Sequence, residues 1–300
     1  MRTIASWTRN ALIGVAACAL LAAAPRAQAT DVASVLARIG ERVTDYYRRA
    51  QNIICTEKVF AQPMDFGYRA DGMGRSLEYE LHLEADGIDG DGLVQDAKVA
   101  RELRKINGRA PRKSDQDNQG CLDPQTHEPE PLAFLLPANQ KDFTFTSAAR
   151  GTGKEKDALI VEFVHKQDGT PEIKTDKHKR PECFQISLPV TMKGRVLVDS
   201  TTFDVLRVEE ELAHRVDIRV PYEQQRSIGL PDYVVVERLQ TITKYAVVKF
   251  KEPEESLVLP ASIEEVAIMR GAGSHRKRQE FSDYRRFLTG GRIIKEPGAE

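Results

Sequence analysis

Apolar and polar positions alternate with period two along most of this chain, which predicts strand after strand. Residues 216–220 put Val216, Ile218 and Val220 on one face with Asp217 and Arg219 on the other. Residues 77–83 do the same with Leu77, Tyr79, Leu81 and Leu83. Read this way, strands fall at 53–61, 77–84, 99–106, 143–148, 159–165, 184–188, 195–199, 205–212, 216–220, 233–250 with a break, 257–269 and 276–287. One segment has helical spacing instead: Val32, Val35, Leu36, Ile39, Val43, Tyr46 and Tyr47 form a stripe between Asp31, a capping residue, and Ala50. Gly40 weakens that helix locally.

Short turns between successive strands imply antiparallel pairing, because parallel strands need crossover helices that are missing here. The expected fold is mainly β (α+β). A strongly curved antiparallel sheet forms a half-open barrel, with the N-terminal amphipathic helix and a loop or short helix as cover. A helix of about twenty residues is roughly 30 Å long, too little to cover ten or more strands, so the sheet must curl around side chains or a guest. Residues 30–290 read as a single domain with long loops near 85–98, 107–142 and 166–183, followed by a flexible tail at 291–300. The 107–142 loop carries the apolar cluster Leu132, Phe134, Leu135 and Leu136. Such a cluster must be buried, either as a fixed plug on the sheet or as a movable lid over a cavity.

The first 29 residues lie outside this pattern. Arg2 and Arg9 precede an apolar run at 11–24, and Ala27 and Ala29 supply small residues at a cleavage site, which reads as a secretory signal peptide. The run is shorter than the roughly 20 residues a bilayer span requires, and no later segment is long and apolar enough, so the mature chain has no transmembrane segment. Lipid anchoring through Cys18 is the disfavoured alternative, because apolar residues continue beyond it. The expected location is across the inner membrane, secreted or periplasmic. Losing Arg2, Arg9 and Arg26 with the leader takes 44 basic residues to 41 against 45 acidic, which argues against nucleic acid as a partner. The basic run from His275 to Arg278 reads as a solvated strand face.

Three cysteines then remain. In an oxidising compartment an odd number suggests one bridge and one free thiol. Cys121 and Cys183 each end a long polar loop, whereas Cys55 lies in an apolar strand, so Cys121–Cys183 is the expected disulfide. Catalytic and metal signatures are weak. Residues 86–92 resemble a calcium loop but put Gly87 and Lys98 where acids belong. Residues 151–156 lack the spacing of a phosphate-cradling loop, no serine lies in a nucleophile elbow, and the six histidines are dispersed. No catalytic residue, metal or cofactor is expected.

The hairpin at 194–212 resembles a signature of the LolA/LolB-like periplasmic lipoprotein-carrier superfamily, to which RseB-type sensors are related. The matching positions are Gly194, Val196, Leu197, Val198, Asp199, Thr202, Val205, Leu206 and Arg207. The resemblance implies a half-barrel whose concave face receives acyl chains, with no enzymatic activity. Its candidate lining is Phe134, Leu135, Leu136, Val196, Val198, Leu206 and Val208. The implied partners are lipid or lipoprotein acyl chains. A cell-envelope sensor or protein-interaction module of the same fold, with an envelope protein as partner, is the alternative.

Overall fold

A computed structural model describes residues 31–65, 67–84, 98–117, 120–124, 132–175, 183–251 and 254–286. The expected leader, Cys18, the calcium-like loop, His127, His178 and the tail lie outside these residues. Helix α1 (Val32–Arg49) leads into β1 (Ile53–Met64), β2 (Arg75–Glu84) and β3 (Lys98–Ile106). After the short helix α2 (Lys113–Asp117) come β4 (Phe143–Arg150), β5 (Ala158–His165), β6 (Glu172–Thr175), β7 (Phe184–Ser187), β8 (Met192–Asp199), β9 (Val205–Leu212) and β10 (Val216–Arg219). The last described elements are α3 (Tyr222–Ile228), β11 (Tyr233–Lys251), β12 (Glu254–Arg270) and β13 (Ser274–Arg286).

Eleven strands form one antiparallel sheet in the order β3-β2-β1-β13-β12-β11-β9-β8-β5-β4, with β10 beside β11. The sheet does not close, so the architecture is the curved, half-open one expected from the pattern. Helix α1 is capped by Asp31, whose carboxylate accepts from the backbone N–H groups of Ala33 and Ser34. Its buried stripe of Val35, Leu36, Ile39, Val43 and Tyr47 packs on Ala148, Leu159, Val161, Phe163, Val196, Val198 and Val208 from β4, β5, β8 and β9. Five such side chains contribute roughly 10 kcal/mol of gross burial energy. A 3₁₀ turn at Ala133–Leu135 completes the cover, with Leu135 and Leu136 fully buried. Gly40 is the contact point: a Cβ there would lie 3.1 Å from both Pro137 Cγ and Gln140 Nε2.

The 194–212 hairpin owes its shape to two local devices. Gly194 lets the Phe163 ring cross β8, since a Cβ would come within 2.5 Å of that ring and 2.2 Å of the Glu209 carbonyl oxygen. In the turn, the Asp199 carboxylate accepts from the N–H groups of Thr201 and Thr202, both at 2.8 Å. Phe203 follows at φ 61°, a costly conformation for an aromatic residue, and is buried against α1 with the Arg38 guanidinium over its ring.

Four features differ from the sequence expectation, the first being helix α3 at Tyr222–Ile228, where only a connection between strands was expected. The break expected within 233–250 is absent: β11 is continuous, and register shifts next to Arg238 and Tyr245 absorb the irregularity. The 166–183 loop contains strand β6, which pairs with β7 as a separate hairpin and buries Ile173. The basic run divides by alternation: Arg276 and Arg278 are exposed, while His275 and Lys277 pair with Glu265 on the other side. Cys121 and Cys183 are disulfide-bonded, and Cys55 is free and buried. Burial pushes the Cys55 thiol up to about 12.

Candidate ligand cleft

The sheet splits between β9 and β11. Their pairing runs from Gln240↔Glu211 to Lys244↔Arg207 and stops there. The cause lies in β9: opposite β8, Leu197 pairs with Arg207 but Val198 pairs with Val205, leaving Leu206 as the extra residue of a bulge. The bulge turns Val205 rather than Leu206 into the core and carries the start of β9 away from β11. Beyond Lys244, β11 continues for seven residues, through Lys251, and among the described residues it pairs there with β12 alone.

Helix α1 roofs this split, and a cleft of about 200 Å³ remains beneath it. Its walls are apolar: Val43 and Tyr46 from α1, Leu132 from the plug, Val205 from β9, and Val247 with Val258 from the β11–β12 ribbon. The mouth is charged but largely neutralised. Arg42 Nε donates to Asp204 Oδ1 at 2.9 Å, and Arg49 donates to Asp45 and Glu255, both at 3.2 Å. Arg49 also holds the ribbon through the Ser256 carbonyl at 3.0 Å. Val247 is 63% exposed, a large apolar side chain at the opening. A larger groove of about 360 Å³ lies along β5, β8 and β9, between Phe163 and Glu209–Glu211. That groove is flanked by the ion pairs Lys193–Glu211 and Arg195–Glu209.

The residues expected to line a concave site are distributed as follows. Leu135, Leu136, Val196 and Val198 are fully buried in the core under α1, Val208 is nearly so, and Phe134 packs against its edge, 4.8 Å from the Phe163 ring. Leu206 is on the bulge and exposed. This core and the cleft are continuous, sharing Val43, Leu132 and Val205. The cleft residues Val247 and Val258 and the arginine rim were not singled out in the sequence. The available signal was length: the apolar alternation of 233–250 outruns its neighbour at 205–212.

Among the histidines, His165 stacks on Phe143 at 4.2 Å and burial lowers its pKa; His82 and His275 contact Glu80 and Glu265. Glu209 and Glu211 are engaged by Arg195 and Lys193. Among the described residues no cluster of His, Cys, Asp and Glu is arranged to hold a metal ion, and no helix is long and apolar enough to cross a membrane.

No protein-family model matches this chain, and no curated protein matches it. Among solved structures it is similar to a LolA superfamily protein, NE2245 from Nitrosomonas europaea, with 10% identity, a TM-score of 0.37, and 84% of this chain and 94% of that chain covered. It is also similar to MucB in complex with MucA(peri), with 11% identity, a TM-score of 0.17, and the same coverage of 84% and 94%.

Proposed function

We propose that this is a non-enzymatic protein, secreted or periplasmic, that binds an acyl chain or similar apolar group in the cleft between α1 and the β11–β12 ribbon. The observation that carries the reading is the cleft itself, an apolar slot with a neutralised polar mouth that opens into the core beneath the plug. The Cys121–Cys183 bridge fits an oxidising compartment. Binding by burial alone needs no catalytic group.

Magnitude then defines how the site operates. Ligand sites usually enclose about 300–1,000 Å³, whereas this cleft holds about 200 Å³. About six methylenes at ~0.8 kcal/mol each give ~5 kcal/mol gross, which the cost of association largely offsets. A longer chain therefore displaces the 133–136 segment and runs along Phe134, Leu135, Leu136, Val196, Val198 and Val208, so the plug acts as a lid.

Mass spectrometry of lipid extracts of the protein purified from its native host should find co-purifying acyl chains. The delipidated protein should bind a fluorescent fatty acid, and Val247→Glu, at an exposed position, should weaken that binding at least tenfold without lowering Tm. Absence of both acyl chains and fatty-acid binding overturns the proposal.

A further inference from the structure

Strand β11 presents, beside the cleft, a row of backbone groups that no strand of the described chain pairs with. From Tyr245 to Lys251 its only partner among the described residues is β12, and none of them pairs with the edge toward β9. The other edge of the ribbon is treated differently: Tyr284 donates to the Pro260 carbonyl, and Arg286 holds Glu255 and the Arg49 and Gln51 carbonyls. Seven residues of edge span about 23 Å, enough for a strand of ordinary length.

Side chains along this edge specify what pairs with it. Ala246, Val247, Lys249 and Lys251 are exposed. Among the described residues neither Lys249 nor Lys251 has an ion-pair partner. Asp204, across the mouth, is already engaged by Arg42. The edge therefore carries two ammonium groups, Lys249 and Lys251, the second lying across from Glu254 of β12, and has an apolar notch at Val247 and Val205 that leads into the cleft. Two copies pairing edge to edge would bring four ammonium groups together, so these lysines guard against self-association. An acidic strand meets the opposite situation, its carboxylates facing unpaired ammonium groups.

We infer that the Tyr245–Lys251 edge of β11 accepts an extended segment of a partner polypeptide, alternating apolar and acidic residues, as an added antiparallel or parallel strand. Its main-chain groups complete the ladder, one apolar side chain enters the notch, and its acids meet Lys249 and Lys251. This inference goes beyond the acyl-chain reading and does not require an acyl chain in the cleft.

The test uses fluorescence polarisation on the chain from residue 30 onward. The probes are a labelled peptide of about eight residues alternating Val and Glu, the Val/Lys counterpart, and a Val/Glu peptide N-methylated at alternate backbone nitrogens. The Val/Glu peptide is expected to bind at least tenfold more tightly than either control. The double variant Lys249→Glu/Lys251→Glu is expected to reverse the charge preference, with fatty-acid binding unchanged. Equal binding of the N-methylated peptide, no binding of the Val/Glu peptide up to about 1 mM, or an unchanged preference in the double variant overturns the inference. So does a concentration-dependent dimer that the double variant abolishes, since a second copy then occupies the edge. Loss of fatty-acid binding with peptide binding intact refutes only the acyl-chain proposal.

Discussion

At the residue scale, the most consequential side chains are charged groups placed where the alternation assigns core. Glu57 sits at an inward position of β1 and is fully buried, accepting from Arg101 Nε at 2.7 Å and from Gln279 Nε2 at 2.9 Å. Glu57→Ala leaves the Arg101 guanidinium, itself only 7% exposed, without this partner. The expected cost is about 3–5 kcal/mol, read as the shift in a urea unfolding midpoint; a change within ~0.5 kcal/mol would show the pair to be dispensable. Two further glutamates give opposite pH signatures. Burial acts to raise the Glu265 carboxyl, but the His275 hydrogen bond and Lys277 outweigh it and hold it at about 2, against an ordinary 4.5. Because its folded pKa is depressed, the stability it contributes is complete above pH 4.5 and is lost as pH falls toward 2, on the order of 3 kcal/mol in all. Glu265→Gln should flatten that part of the stability–pH curve. The Glu210 carboxyl is pushed up by burial, so the folded state binds its proton more tightly and ionisation destabilises the fold as pH rises. Glu210→Gln should stabilise the protein at pH 7 and lose its advantage below pH 4.5; equal stabilisation at both pH values would exclude ionisation as the cause. None of these placements was legible in the sequence, since Arg101 and Gln279 reach Glu57 only through strand order.

At the scale of elements, α1 and most strands were readable because each carries its own period. What escaped has a physical cause in each case. Strand β6 is four residues in a polar loop, too short to show alternation, and is held by pairing with β7. The bulge at Leu206 breaks the period within one strand, so the residue that alternation sends inward is exposed and Val205 takes its place. Gly40 read as a weak point of a helix; in the fold it is the seat of the plug, where Gln140 Nε2 donates to the Leu36 and Leu135 carbonyls at 3.2 and 2.7 Å. That contact makes plug movement testable. Gly40→Leu places a side chain where Pro137 lies, and overpacking of this kind costs about 1–3 kcal/mol. If the 133–136 segment is a lid, the variant should take up a fluorescent fatty acid faster than the parent in stopped flow. If uptake slows in step with lost stability, the segment is part of the fixed core.

For the whole molecule, the ordering of strands decides which part of the chain holds the rest. The pattern of one-sided strands with few helices foretold an open, curved sheet, but not which strand sits beside which. The N-terminal strand β1 pairs with the C-terminal β13 along most of its length, from Ile53↔Arg286 to Met64↔Ser274, and through β13 reaches β12. Among the described residues, the backbone ladder of β2 and β3 reaches the rest of the sheet only through β1, with the Arg285–Glu80 ion pair at 2.8 Å as a side-chain link from β13 to β2. One late strand thus joins a three-stranded edge to the remainder, and with it the buried Glu57–Gln279 contact and the anchoring of Arg286 to the end of α1. Contacts so distant in sequence form against a large loop-closure entropy, which predicts slow folding with β13 docking last. A chain ending at Arg270 would leave the β13-facing edges of β1 and β12 unpaired together. It should lose the single cooperative thermal transition and bind a hydrophobic dye at room temperature, while the full chain does neither. Retention of one sharp transition within a few degrees of the parent would mean that α1 and the disulfide loop, rather than β13, hold the β1–β3 edge in place.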